Sequence, residues 1–454
     1  MSKKNKKKNT QTKAKVNSNT NETNTNSNND TNKQIKNSED NSTKNKSIGK
    51  RILKCVGLVI AALVLVFAIF LGWLTATEYK PADVEKVEVD STYGSQHLLT
   101  EGDEFKIMTW NIGYGCLGDN ADFFMDGGKG VMTATRERRD VNIAGLKGTI
   151  VAHEPDVIFF QEIDRDSRRS YNKDELIELS VGLSKLIDQK QPGSDLLDLE
   201  EFSAAKGADV NIDVVNGDDE ASGDEMLGNG YTTSFAYNYK ANYVPYPIPD
   251  CMGKVNSGIS TFSKFDVTDA ERISLPCPFS WPIRTINLKR CLLVNRIPVV
   301  NSDEKETGKE LVLVNLHLEA YDDGEGKKAQ TEQLRAFLQS EYDKGNYVIA
   351  GGDFNQTFST VDDSMYPEQD GKWHAGEIDT SVFGNNFQFE MDNSKPTCRS
   401  LDQPYKVEDK DSFQYYMIDG FIVSDNIEVS ETKTIGTLFA PSDHNPVEMR
   451  VKLK

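Results

Sequence analysis

Twenty consecutive residues, Cys55 to Leu74, carry no charge and are mostly apolar, inside an uncharged stretch bounded by Lys54 and Glu78. At about 1.5 Å per residue, a helix of that length crosses a hydrocarbon core of about 30 Å. The stretch therefore reads as one transmembrane helix over 55–77. A buried helix of a soluble core is one alternative. A cleaved signal peptide is the other, since Thr75, Ala76 and Thr77 offer small residues after the apolar run. Signal peptides have an apolar part of about 7–15 residues and a short leader. Here the run is longer and follows a long polar leader, which favours an uncleaved anchor.

Charge divides at the same place. Residues 1–54 hold 14 Lys and Arg against 4 Asp and Glu, whereas the remaining 400 hold 38 against 67. Basic residues before a span mark the cytoplasmic side, so the reading is a cell-membrane protein with its N-terminus inside and residues 78–454 outside. The Lys, Asn, Thr and Ser of the leader bury too little apolar surface to offset ordering entropy, so 1–54 reads as a disordered basic tail. Residues 78–104 read as a polar linker, with a fully stretched reach on the order of 90 Å. The acidic remainder exerts no general attraction on nucleic acid. Phosphate recognition there would need a local basic pocket or a bound metal. The five cysteines after the span, Cys116, Cys251, Cys277, Cys291 and Cys398, are odd in number and sparse, which argues against a disulfide framework.

From Phe105 onward short β-branched runs alternate with longer helical patterns. Strands are expected at Phe105–Asn111, Asp156–Gln161, Ser257–Phe262, Leu311–Leu318, Tyr347–Ala350, Tyr415–Val423 and Val447–Lys452, and helices at Thr135–Ala152, Lys173–Gln189 and Lys327–Tyr342. That order suggests an α+β or α/β domain over 105–454 with two mixed sheets. Residues 193–230 form an acidic, glycine-rich insertion that does not fit the twelve-position spacing of a calcium loop. Tyr237, Tyr239, Tyr243 and Tyr246, with Pro245, Pro247 and Pro249, read as a loop suited to stacking bases, entering lipid headgroups or covering a sheet edge.

Six short motifs end these runs: Thr109-Trp110-Asn111, Gln161-Glu162, Asn315-Leu316-His317-Leu318, Gly352-Asp353-Phe354-Asn355, Ile418-Asp419-Gly420 and Ser442-Asp443-His444. A carboxylate at a strand end is a solvated end or a metal ligand. Asp353 and Asn355, two apart, point to one side of an extended strand. His317 and His444 have the near-neutral pKa needed to move a proton. The series resembles the endonuclease/exonuclease/phosphatase superfamily over roughly Phe105 to Leu453.

That resemblance implies a four-layer αββα sandwich with the active site at one end of the paired sheets. It implies a magnesium ion, or manganese in its place, on Glu162 with Asn111 and Asp443 beside it. Asp353 would orient or deprotonate the attacking water, Asn355 would hold the phosphate, and Asp419 would fix the tautomer of His444, with His317 sharing the proton traffic. Arg165, Arg168 and Arg169, three to seven residues after Glu162, and Arg290 are the candidate phosphate contacts. The function expected is hydrolysis of a phosphodiester in nucleic acid or a phospholipid headgroup. Alternatives are an inositol-phosphate-type phosphomonoesterase or a silent binding module tethered to the envelope. Partners are then the phosphate-ester substrate and the membrane, with a monomer the simplest state.

Overall fold

The computed structural model describes residues 29–94, 97–189, 230–322 and 324–454. The acidic insertion and residues 1–28 of the tail lie outside the described residues, except Gly230. The chain divides into two units, Met1–Phe70 and Leu71–Lys454. In the first, a helix that begins at Asn29 runs through the apolar stretch to Ala76, and Ser47–Ala76 is long and apolar enough to cross a membrane. Residues 29–54 of the tail are thus helical rather than coil. Once the apolar stretch has nucleated a helix, each further residue adds one hydrogen bond at little cost.

In the second unit two sheets face each other. One carries, in order, Val84–Lys86, Asp269–Ser274, Cys291–Val300, Glu306–His317, Tyr347–Asp353, Asp419–Ser424 and Phe387–Glu390, with Leu99–Thr100 beside Cys291–Val300. The other carries Ile427–Thr434, Val447–Leu453, Glu104–Asn111, Val157–Asp164, Gly253–Ser263, Thr232–Val244 and Val89–Asp90. Alternate residues of the central strands, among them Ile107, Phe159, Leu313, Ile349, Phe421 and Met449, meet in a core between the sheets. The outer face of the second sheet buries Met108, Trp110, Ile158 and Phe160 against Ile143, Leu146 and Ile150 of the helix Arg136–His153 and Leu179 and Leu183 of Glu175–Gln189. The outer face of the first packs Val312, Val314 and Val348 on Leu334 and Leu338 of Glu325–Asp343. The layers run helix, sheet, sheet, helix, as the resemblance implies.

The expected elements are present with small shifts at their ends, apart from Tyr415–Val423. That run splits: Tyr415–Tyr416 pairs with Cys398–Arg399, and the chain joins the large sheet only at Asp419. The expected linker is also corrected. Three short strands within 78–104 add to the two sheets, and Leu99 is fully buried. Two or three residues per strand are too few to show a period, so a polar stretch held by isolated apolar anchors reads as a tether. Tyr237, Tyr239 and Tyr243 likewise belong to the strand Thr232–Val244 and not to a loop.

Parallel pairing sets the site. Glu104–Asn111 runs parallel to Val157–Asp164, and Glu306–His317 parallel to Tyr347–Asp353, so Asn111, Glu162, His317 and Asp353 emerge at one end. Asp419 enters its antiparallel strand opposite Asp353. Gly352 permits the close pairing of these strands, because its φ is 147° and a Cβ there would lie 1.9 Å from the Leu316 carbonyl oxygen. Beneath the site the Asn315 amide links the two sheets. Its oxygen accepts from Gln161 Nε2 at 2.8 Å, and its nitrogen donates to the Ser260 and Phe160 carbonyls at 2.8 and 3.2 Å. Unsatisfied, such a buried amide would cost about 1–3 kcal/mol.

Candidate active site

Asp353 is the centre of the cleft. Its Oδ1 accepts from the Asn355 amide at 2.9 Å and its Oδ2 from Asn111 Nδ2 at 3.0 Å. Oδ2 also lies 3.3 Å from His317 Nε2 and 3.9 Å from His444 Nε2. Burial, with the nearby negative Asp419 added, pushes the Asp353 carboxyl up to about 6.

His444 Nδ1 lies 2.9 Å from Asp419 Oδ2, and the Trp110 indole donates to the His444 carbonyl at 2.9 Å. Burial opposes a charge on His444, yet Cys398 and Asp419 outweigh it and raise the imidazole well above its usual value. Burial keeps the Cys398 thiol protonated, so the Asp419 carboxylate is the anion that counts. His317 goes the other way. Burial, then the charge of Arg290, lowers it well below the usual value, and its buried Nδ1 has no hydrogen-bond partner among the described residues.

Three residues here hold left-handed backbone without being glycine: Tyr114 at φ 42°, Glu162 at φ 59° and Asn355 at φ 50°. Glu162 sits where the pairing of Val157–Asp164 with Gly253–Ser263 slips between Phe160 and Ile163. Such conformations cost of order 1–3 kcal/mol each and persist where the surroundings fix them. The bulge turns the Glu162 carboxylate into the cleft, where it lies 3.3 Å from Asn111 Nδ2.

Asn111, Glu162 and Asp443 offer hard oxygen donors of the kind a divalent ion prefers. Burial lifts the Asp443 carboxyl to about 7, and the charge of Glu162 adds to the lift. A cation between these carboxylates would relieve both effects, so the donor set fits. Asn111 departs from the expected ligand geometry. Its Oδ1 accepts from the Gly113 amide at 3.1 Å while its NH2 faces Glu162 and Asp353. Offering oxygen to a cation requires a turn of that amide. The tightest ligand groups among the described residues are Cys398–Asp443–His444 and Asp353–Asp419–His444.

The arginines divide. Arg165 pairs with Asp174 at 2.8 Å and Arg168 with Asp250 at 2.8 Å, and neither lines the cleft. This corrects their reading as phosphate contacts, since nearby carboxylates take both guanidinium groups. Arg169 lines the cleft but is bound bidentately to Asp164 at 2.9 and 3.0 Å, its guanidinium 3.6 Å from the Tyr114 ring centroid. Arg290 is better placed. It donates to the His317 carbonyl at 3.3 Å, while its buried Nε has no hydrogen-bond partner among the described residues. Sequence reasoning missed Arg399, Lys372 and Tyr321, which with Tyr239 complete the wall from outside the six motifs.

Residues 108–379 match the family model described as Endonuclease/Exonuclease/phosphatase family. The chain belongs to that family. Its members are generally phosphoesterases that depend on a divalent metal, and the candidate ligand groups above agree with that chemistry. The protein is similar in structure to an endonuclease/exonuclease/phosphatase from Beutenbergia cavernae at 16% identity, covering 77% of this chain and 72% of that one with a TM-score of 0.44. The human Nocturnin catalytic domain with bound sulfate shares 16% identity over 81% of this chain and 98% of its own, TM-score 0.42. A family member from Bacteroides vulgatus shares 14% over 78% and 100%, TM-score 0.43. No curated protein matches the chain.

Proposed function

We propose that this protein is a magnesium-dependent phosphodiesterase, anchored by one helix with its N-terminus cytoplasmic and its catalytic domain outside the cell. The observation that carries the reading is the Asp353 carboxylate, raised to about 6 and set between a neutral His317 and the charged His444–Asp419 pair. A divalent ion on Glu162 and Asp443, with Asn111 after its amide turns, would polarise the phosphoryl oxygens.

The protein's own groups then do the following. Asp353 orients water and takes its proton as the oxygen–phosphorus bond forms. As the bond to the leaving oxygen breaks, the proton on His444 Nε2 passes to that oxygen, while Asp419 holds the ring through Nδ1. His317 bonds to Asp353 and keeps the carboxylate in place. Arg290 Nε and Asn355 face the phosphate. Asp353 and His444 return to their starting states by exchange with solvent.

Hydrolysis of a diester is favoured over a monoester because Arg169 and Lys372 in the cleft are already paired, with Asp164 and Asp402. Of the other cleft arginines, Arg399 donates to carbonyl oxygens and Arg290 Nε lies 3.8 Å from Glu319, so less positive charge is aimed at a second phosphate charge. The test is hydrolysis of bis-p-nitrophenyl phosphate against p-nitrophenyl phosphate, with magnesium and with chelator. The diester should be preferred, chelator should abolish turnover, and Glu162→Gln should remove most of it without unfolding the protein. Chelator-resistant turnover would reject the metal reading. Folded protein inactive on both esters would leave a tethered binding module.

A further inference from the structure

The last residues of the apolar stretch are tied into the second unit. Leu71–Ala76, the end of that helix, already belongs to the second unit. Thr75 Oγ1 accepts from the Trp281 indole at 3.0 Å. Three residues on, the buried Glu78 carboxylate holds Arg284 at 3.0 Å and Lys289 at 3.4 Å. The Tyr79 ring then packs edge-on to Tyr237, and Val84–Lys86 enters the sheet. Loop 276–289 is therefore clamped within about 10 Å of chain from the end of the apolar helix, at about 3.3 Å per residue.

The same loop forms one wall of the catalytic cleft. Leu288 and Arg290 line it, and the Lys289 amide donates to the carbonyl of Asn238, another lining residue, at 2.6 Å. Toward solvent the loop shows Trp281 and Ile283, 54% and 53% exposed. Ile283–Ile286 packs on the strand Thr232–Val244, and the loop that follows this strand exposes Ile248 at 85%. In a strongly acidic domain these large apolar side chains are out of place unless something covers them. Tryptophan with neighbouring aliphatic residues is the composition that enters the headgroup layer of a bilayer.

We infer that Trp281 and Ile283 rest in the outer leaflet of the membrane that the apolar helix crosses, and that the cleft draws its phosphate ester from a lipid headgroup in that leaflet. The inference rests on the anchored phosphodiesterase reading and deepens it. Lipid is favoured over nucleic acid because Thr75 and Glu78 hold loop 276–289, one wall of the cleft, within a few residues of the end of the apolar stretch, and because the domain's net negative charge repels a polyanion.

The test uses the full chain reconstituted in vesicles of phosphatidylcholine, phosphatidylethanolamine, phosphatidylglycerol or sphingomyelin. Headgroup release is compared with hydrolysis of plasmid DNA, RNA and soluble bis-p-nitrophenyl phosphate. At least one lipid should turn over faster than either nucleic acid. The double substitution Trp281→Ser and Ile283→Ser should lower lipid turnover about tenfold or more and leave the soluble diester unchanged. Ile283→Ser alone should do the same more weakly, which guards against loss of fold in the double variant. Independently of activity, brominated phosphatidylcholine should quench a Trp73→Phe protein, and the quenching should fall with Trp281→Phe. Unquenched Trp281, wild-type lipid turnover by the double variant, or a preference for DNA or RNA over every lipid would each overturn the inference. Absence of turnover on the soluble diester, with Trp281 still quenched, would reject the phosphodiesterase reading and keep the docking.

Discussion

His317 and His444 reach the same carboxylate from opposite sheets, and their surroundings differ in one respect that decides their chemistry. Burial acts on both imidazoles in the same direction, against charge. In the His317 corner the charge of the Arg290 guanidinium acts in the same direction as burial. In the His444 corner Asp419 stands 2.9 Å from Nδ1 and acts against it. A buried histidine is therefore not in itself an acid or a base; the neighbour chosen by the sheet register makes it one. Here the pairing of Asp353 with His317 on one side and with Asp419 on the other brings the shared carboxylate and the Asp419 neighbour together from adjacent strands.

The largest effects should separate the two corners. His444→Ala should lower kcat on a soluble diester by about 10²–10⁴-fold, the range for a positioned proton donor. Asp419→Asn should lose a similar order, because the ring keeps neither its charge nor its tautomer. His317→Ala removes only the 3.3 Å contact of its Nε2 with Asp353, so its expected cost is about tenfold. Equal losses at His317 and His444, measured with saturating metal, would break the distinction between them.

The pH profile sharpens the same comparison with a smaller effect. Asp353 must be ionised to accept a proton, so activity should fall about tenfold per unit as pH drops below about 6. His444 must be protonated, so its limb lies on the alkaline side. Asp419→Asn removes the anion that raises His444, and should move the alkaline limb to lower pH; the acid limb should move down less, because burial remains the larger cause of the Asp353 shift. The limbs belong to the coupled site rather than to either group alone. An unmoved alkaline limb in Asp419→Asn would assign that limb to another group.

What the sequence disclosed about this site follows the same division. The apolar runs before Asn111, Glu162, His317 and Asp353 are short and nearly continuous, so their ends, and the residues placed there, were legible. Two mixed sheets followed from runs of that length alternating with helical ones, and the four-layer order was what the family resemblance implied. Partnership across the fold was not legible. Arg168 and Arg169 are adjacent, yet one pairs with Asp250 on a distant loop and the other with Asp164 under the cleft. Neither carboxylate can be assigned before the chain folds. The left-handed backbone of Glu162 and Asn355 leaves no mark either, since no glycine announces it. The strands inside 78–104 are too short to show a period.

The smallest effect concerns stability, and it tests whether the buried carboxylates are arranged for a cation. Asp443 stands at about 7 in the folded, metal-free site against an ordinary 3.8, with burial as the main cause. The folded state thus holds a proton that the unfolded chain releases between about pH 4 and pH 7. Its contribution favours folding at low pH and is lost as pH rises toward 7, the reverse of a salt-bridged aspartate. Asp443→Asn removes the charge but keeps the shape. Without metal at pH 8 this variant should melt higher than the wild type by roughly 2–4 °C for each kcal/mol of relieved charge burial. At pH 4 the two should melt together. Magnesium should invert the order at pH 8, because only the wild type gains the full stabilisation of a bound ligand. A variant that melts lower than wild type at pH 8 without metal would mean that Arg399 or another neighbour already compensates Asp443. The cleft would then be arranged around its own cations and not around a metal.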